Sequence, residues 1–288
     1  MDRRVIFRAA LLALLLLPLD AGAQEISRFA GTAATSYPLD GLGTVTRAYS
    51  LRRLLTSYST NKLINIVRAS DSTVTDIGFT STGALDTATA TTFCNATTCK
   101  VVTMYDQSGN TSNVTQATDA NRPALVFNCL GTSPCLQTTA AQVLNTAATF
   151  TPTTGVISLA VVANRVTGTG QCDFIKSNAG TGNRIRSAGA IANQWSALSN
   201  SGIIGAVAND NAWHSGVAVI NGASSVFSLD GVEGTGTITG STVAGVVQLV
   251  GAASTTCDFL EAFFLDAVAS TAAQRSYITS GQRAWWGF

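Results

Sequence analysis

Between residues 157 and 265 the chain repeatedly sets short runs of β-branched and aromatic residues between turn-forming dipeptides, and this pattern narrows the possible folds most. The runs 157–164, 214–221, 225–229, 246–250 and 257–265 have strand length. Asn221-Gly222 and Asp230-Gly231 supply residues that tolerate positive φ in tight hairpins. Strands at this spacing predict an all-β fold, a two-sheet jelly-roll sandwich with one or two short peripheral helices. One helix is expected over residues 45–58, where Ala48, Leu51, Leu55 and Tyr58 recur at helical spacing. The other is expected from a Ser270 cap to about Trp285.

The N-terminus is of another kind. Arg3, Arg4 and Arg8 precede an apolar run from Ala9 to Leu19, and Ala21-Gly22-Ala23 offers small residues for cleavage. Together they predict a secretory signal peptide over residues 1–23. Residues 24–288 then read as a single domain in a secreted or periplasmic protein, with no membrane attachment after cleavage. Only 11% of the residues are charged, against about a quarter in an ordinary soluble domain. Beyond Ala23, 14 acids balance 14 bases. That balance excludes electrostatic recruitment of nucleic acid. It suits a neutral glycan, which planar polar groups and aromatic faces can hold without net charge. Asp173, Trp195 and Asn200 are the candidate carbohydrate-binding residues.

Six cysteines follow the leader, an even number that fits three disulfides in an oxidising compartment. Cys94 with Cys99 and Cys129 with Cys135 span turn-forming stretches, leaving Cys172 to pair with Cys257, although six cysteines allow fifteen connectivities. A metal site is not expected, since CxxC spacing is absent and His214 is the only histidine. No Walker A loop, dinucleotide fingerprint or GxSxG elbow implies a cofactor or a serine nucleophile. Trp213-His214 reads as a structural pair at a strand start. Carboxylates remain the route to chemistry. Asp173 follows Cys172 and Asp258 follows Cys257, so a bond between those cysteines would allow the two aspartates to approach each other, although the reading preferred here is that each simply hydrogen-bonds a loop or faces solvent. Asn95, Asn110 and Asn113 lie in N-x-[ST] sequons, which carry little meaning if the source is bacterial.

One stretch is more specific. From Tyr49 to Gln116 the chain reads Tyr-Ser-Leu-Arg-Arg-Leu-Leu-Thr-Ser-Tyr, Ile66-Val-Arg-Ala-Ser-Asp71, Thr75-Asp76-Ile77-Gly78, Cys94-Asn-Ala-Thr-Thr-Cys99 and Met104-Tyr-Asp-Gln-Ser-Gly109. In order and spacing this resembles the catalytic domain of the α-L-arabinofuranosidase B family, glycoside hydrolase family 54, over roughly 70 residues. The later half looks as much like a generic laminin-G or concanavalin-type jelly roll. The resemblance implies a β-sandwich and retaining attack on terminal arabinofuranose by two carboxyls about 5 Å apart. The family's nucleophilic Glu lies in a Trp-x-x-Ala-Asp-Leu-Glu-Asn-Gly run, whose local counterpart starting at Trp195 has Ser199 at the Glu position and Asn200 at the Asn. The family's acid/base position falls in residues 250–255, which hold no acid. Its vicinal cysteine pair is reduced to Cys172. The catalytic residues are therefore unassigned, with Asp173, Asp258 and Glu261 as compensating acids. The expected function is arabinofuranosidase-like action on arabinose-containing polysaccharide, with a catalytically silent lectin-like module or an extracellular structural protein as alternatives.

Overall fold

The computed structural model describes residues 36–139, 142–152, 155–167, 170–177, 182–187, 194–199, 202–208, 210–238, 244–253, 255–266 and 271–288. The expected signal peptide, Ser270 and Asn200 lie outside these residues. Eight strands come first: β1 (Val45–Ser50), β2 (Ile64–Arg68), β3 (Val74–Ile77), β4 (Cys99–Met104), β5 (Val114–Thr115), β6 (Ala124–Leu130), β7 (Ser133–Thr138) and β8 (Leu144–Phe150). A short helix, α1 (Thr87–Phe93), precedes β4. Then come β9 (Ile157–Thr167), β10 (Gln171–Ser177), β11 (Arg184–Ser187), β12 (Gln194–Ser199), β13 (Gly202–Ala208), β14 (Trp213–Ile220) and β15 (Val226–Leu229). The last strands are β16 (Val232–Glu233), β17 (Thr235–Thr237), β18 (Gly245–Ala253) and β19 (Thr256–Asp266), followed by helix α2 (Ala272–Trp286).

Antiparallel pairing joins these strands into two layers. The first runs β16-β15-β14-β9-β19, with β1 and β7 sharing the far edge of β19. The second runs β8-β18-β10-β11-β12-β13-β17. Between them the chain crosses through β6, β4 and β5, with β2 and β3 beside β4. The five strands anticipated from the β-branched runs are β9, β14, β15, β18 and β19. Asp230 at φ 52° and Gly231 at φ 87° turn β15 into β16, the double positive-φ geometry that Asp-Gly favours in a two-residue hairpin.

The core fills the space between the layers. Phe150 from the second layer meets Phe264 from the first with ring centroids 5.5 Å apart. Leu159, Val161, Phe174, Ile175, Ile185 and Phe259 are all fully buried there. A second cluster lies on the outer side of the first layer, where Ala160, Val217, Phe263 and Leu265 pack against Leu39, Leu42 and Leu54 and against Ile278 of α2. Covered on both sides, β19 is buried along nearly its whole length, and the acids that interrupt its apolar residues, Asp258 and Glu261, are buried with them.

Residues 45–58 do not form the expected helix. Residues 45–50 are instead β1, paired with β19. Apolar residues at helical spacing are not enough when the residues between them are buried as well: Tyr49, Ser50 and Arg52 are all inside. The Asp106-Gln107 pair of the Met104–Gly109 motif fixes this extended course. Asp106 accepts from the Ala48 amide at 2.9 Å, while Gln107 accepts from the Leu54 amide at 2.8 Å and donates to the Arg52 carbonyl at 2.9 Å. Those side chains satisfy backbone groups that a helix would have satisfied internally. The terminal helix forms, capped one residue later than expected: the Thr271 hydroxyl accepts from the Gln274 amide while the Gln274 side chain accepts from the Thr271 amide. Gly287 in the left-handed region closes its C-terminus.

Candidate functional site

All six cysteines are paired as 94–99, 129–135 and 172–257. The third bond links β10 of one layer to β19 of the other, so both sulfurs point inward. Successive strand residues point to opposite faces. Asp173 and Asp258 therefore point outward on opposite sides of the sandwich, and they share no partner. The approach that such a bond would allow does not occur: it needs strands that are neighbours within one sheet, and it reverses for cysteines that face each other across a core.

Asp173 lies on the outer face of the second layer, in register with Gly251 on β18 and Arg186 on β11; Arg186 is in turn opposite Ser196 on β12. Arg186 Nε is 2.8 Å from Asp173 Oδ1, and Arg184 Nη1 and Lys176 Nζ are each 3.6 Å from Oδ2. Gln171 Nε2 donates to Oδ2 at 3.2 Å. Burial pulls the Arg184 pKa down, and the neighbouring Arg186 adds to this, against the attraction of Asp173. Sequence reasoning found Asp173 and missed the cations. The available signal was the Arg184-Ile-Arg186 alternation, which puts both guanidinium groups on one face of a strand.

A second polar row crosses the outer face of the first layer. Gln137, Asp258, Asn164 and Trp213 sit side by side on β7, β19, β9 and β14. Gln137 Nε2 donates to Asp258 Oδ1 at 2.9 Å, and the buried Asn164 Oδ1 has no hydrogen-bond partner. Burial outweighs the Gln137 bond and pushes the Asp258 carboxyl up to about 6. The Cys129 and Cys135 sulfurs lie close to Asp258, but they are bonded to each other and offer no thiolate to a metal.

Because the folded pKa of Asp258 exceeds the ordinary value of 3.8, its protonation supports the fold at low pH, and that support is lost as pH rises through about 6. Asp258→Asn keeps the acceptor for Gln137 and removes the buried charge. It is expected to stabilise the protein at pH 8 by on the order of 2 kcal/mol and to leave it unchanged near pH 3. Thermal unfolding of both proteins from pH 3 to pH 8 measures this; an offset independent of pH would assign the effect to packing instead.

The other sequence candidates are structural. Glu261 is fully buried in a bidentate pair with Arg52, at 2.6 and 3.0 Å, and also accepts from Ser50 and Gln282. Trp195, expected to stack on a sugar, is corrected to a core residue. It is 0% exposed, stacked on Phe174 at 4.6 Å and set edge-on against His214 at 5.1 Å, so neither ring face is open to a ligand. Ser199, which the sequence resemblance sets at the family's Glu position, is buried and donates to Asn183 Oδ1 at 2.7 Å. His214 is held between Asp230 at 2.6 Å and Asp210 at 2.9 Å. Burial alone would lower its pKa, but the two carboxylates together raise it.

These features define a disulfide-stapled, two-layer β-sandwich with polar clusters on both outer faces. Residues 40–148 match the family model for the catalytic domain of alpha-L-arabinofuranosidase B. The chain is 44% identical over 71 residues to the probable alpha-L-arabinofuranosidase B of Aspergillus flavus, covering 24% of this chain and 14% of that protein. It is 40% identical over 70 residues to the alpha-L-arabinofuranosidase of Hypocrea jecorina, with the same coverage. The alignment thus spans about one seventh of the length of these relatives. Among solved structures, a GH54 arabinofuranosidase soaked with a cyclic sulfate inhibitor shares the fold at TM-score 0.64 and 19% identity, over 84% of this chain and 65% of that one. An arabinofuranosidase complexed with arabinofuranosyl-alpha-1,2-xylobiose does so at TM-score 0.60 and 20% identity, with the same coverage. The chain is therefore similar to the arabinofuranosidase B catalytic domain over residues 40–148, and its sandwich fold is shared with the solved arabinofuranosidases. Asp173 and Asp258 both lie beyond the matched residues.

Proposed function

We propose that this chain is a secreted carbohydrate-active protein that uses the arabinofuranosidase B scaffold to hold arabinofuranose-bearing polysaccharide without cleaving it. The observation that carries this reading is the separation of the three candidate acids: Asp173 is engaged by cations, Glu261 is sealed inside with Arg52, and Asp258 stands on the opposite outer face with Gln137. Retaining hydrolysis needs two carboxyls about 5 Å apart. A buried serine at the position corresponding to the family's nucleophile points the same way. The sugar class rests on the arabinofuranosidase likeness and on the arabinofuranosyl-xylobiose in one structural neighbour. Export is supported by the leader sequence and the three disulfides.

Hydrolysis is the second reading, favoured by Asp258, whose pKa of about 6 suits a general acid. One experiment separates the two. The purified protein is incubated with arabinan, arabinoxylan and an aryl α-L-arabinofuranoside; released arabinose is measured, and retention on the polysaccharides is followed by affinity electrophoresis. Saturable retention without release is expected. Release that disappears in Asp258→Asn would overturn the non-hydrolytic reading, and absence of both retention and release would overturn the glycan reading altogether.

A further inference from the structure

The Asp173 cluster is out of electrostatic balance. Three cations, Lys176, Arg184 and Arg186, converge on one carboxylate, and their side chains are only 18%, 9% and 10% exposed. Among the described residues no other carboxylate lies within ion-pair distance of them. Of the sixteen acids in the sequence, only Asp2, Asp20 and Glu25 fall outside the described residues, and none is in an internal segment. Arginine does not relieve such an imbalance by losing its proton. Buried charge without a partner is costly, so a fold that keeps two cations in excess at a nearly closed position is poised for a counter-anion.

The surroundings point the same way by an independent route. Ser196, opposite Arg186 on the same face, is 0% exposed, and its hydroxyl has no hydrogen-bond partner. Gly251 stands beside Asp173 at one side of the row, and on the other side Gly205 lies beside Ser196 with Thr235 of β17 next in register. A Cβ added at Gly251 would meet nothing nearer than 3.9 Å. Space, an orphaned hydroxyl and two forked guanidinium donors are what an oxyanion needs.

We propose that Lys176, Arg184, Arg186 and Ser196 form a binding site for an oxyanion and, resting on the glycan reading above, that the oxyanion is the carboxylate of an acidic sugar. Asp173 then acts as a positioning residue that spaces the two arginines. A chain that is formally neutral beyond its leader would in this way select charged segments of a polysaccharide by one local cluster.

Binding of oligogalacturonate is compared with binding of its fully methyl-esterified form by calorimetry, for the wild type, Arg184→Gln and Lys176→Ala. Inorganic phosphate serves as a sugar-free probe through its effect on thermal unfolding. The acid form is expected to bind at least about tenfold more tightly than the ester, with affinity falling as salt is raised and falling about tenfold in each variant. Phosphate is expected to raise the unfolding temperature of the wild type and not that of Arg184→Gln. Lys176→Ala, at the more exposed edge of the cluster, keeps the test valid should Arg184→Gln fold poorly. Equal binding of acid and ester overturns the acidic-sugar assignment. Phosphate stabilisation that survives in both variants overturns the oxyanion site itself. Site-dependent phosphate binding with no binding of any glycan, charged or neutral, would retain the site and remove the glycan reading, so the two failures are distinguishable.

Discussion

Replacing Cys172 and Cys257 together with alanine is expected to lower stability by about 4 to 5 kcal/mol, the largest loss from any of the three bridges. Their bond closes a loop with a sequence separation of 85 residues, against 5 and 6 for the other two. In the chain-entropy description a loop of that size restrains the unfolded chain by about 4 to 5 kcal/mol, whereas the short loops contribute about 2 kcal/mol each. Packing adds to the difference, because both Cys172 and Cys257 are fully buried within the core between the layers. For a domain of this size the loss corresponds to a fall of roughly 10 °C or more in Tm. Thermal melts of the double variant, compared with Cys94→Ala/Cys99→Ala, measure the ranking; equal shifts would show that the interlayer bond does not restrain the chain more than a turn-closing one.

The same bond shows how far the sequence could be read. Spacing favoured the pairing that forms, since two pairs flank turns and two cysteines are left over, but it left fifteen connectivities open. Whether Cys172 and Cys257 sat side by side in one sheet or face to face across two could not be read from spacing, and the directions of Asp173 and Asp258 depend on that difference. Strands β9, β14 and β19 were legible because their runs, β-branched in the first two and rich in Phe and Leu in the third, are long. β1 was not, because most of its residues are buried and its backbone is held by Asp106, on the Ala48 amide, and by Gln107, on the Ala48 and Ser50 carbonyls, more than fifty positions away. The cationic cluster was hidden for a related reason. Arg184 and Arg186 are close in sequence, but Asp173 joins them only through the register of β10 with β11, which shifts between Asp173 and Ile175. Alternation within a strand can be read locally, while registry between strands is set by the whole sheet.

Glu261 separates structural from chemical roles most sharply. Glu261→Ala is expected to destabilise the fold by about 3 to 5 kcal/mol, because it strands Arg52, only 2% exposed, with an unpaired charge. The carboxylate joins three elements: Ser50 at the end of β1, Arg52 just beyond it, and Gln282 on α2, whose Oε1 in turn accepts from Ser215 on β14. Trp285 and Trp286 flank the guanidinium at 4.9 and 5.7 Å, so the ion pair is also the point where the terminal helix is held to the sandwich. Arg52→Met should cost a similar amount by leaving Glu261 bare. The double variant Arg52→Met/Glu261→Leu should recover much of the loss, since two apolar residues of similar volume remove both charges at once. Chemical denaturation of the three variants measures these energies. Were Glu261 instead a reacting group, Glu261→Gln would change glycan processing while leaving the denaturation midpoint in place, and the double variant would show no recovery. Sealed at 0% exposure with four hydrogen bonds to its two oxygens, Glu261 has no free lone pair facing a ligand, and the energy of its pair is spent on holding β1, β19 and α2 together.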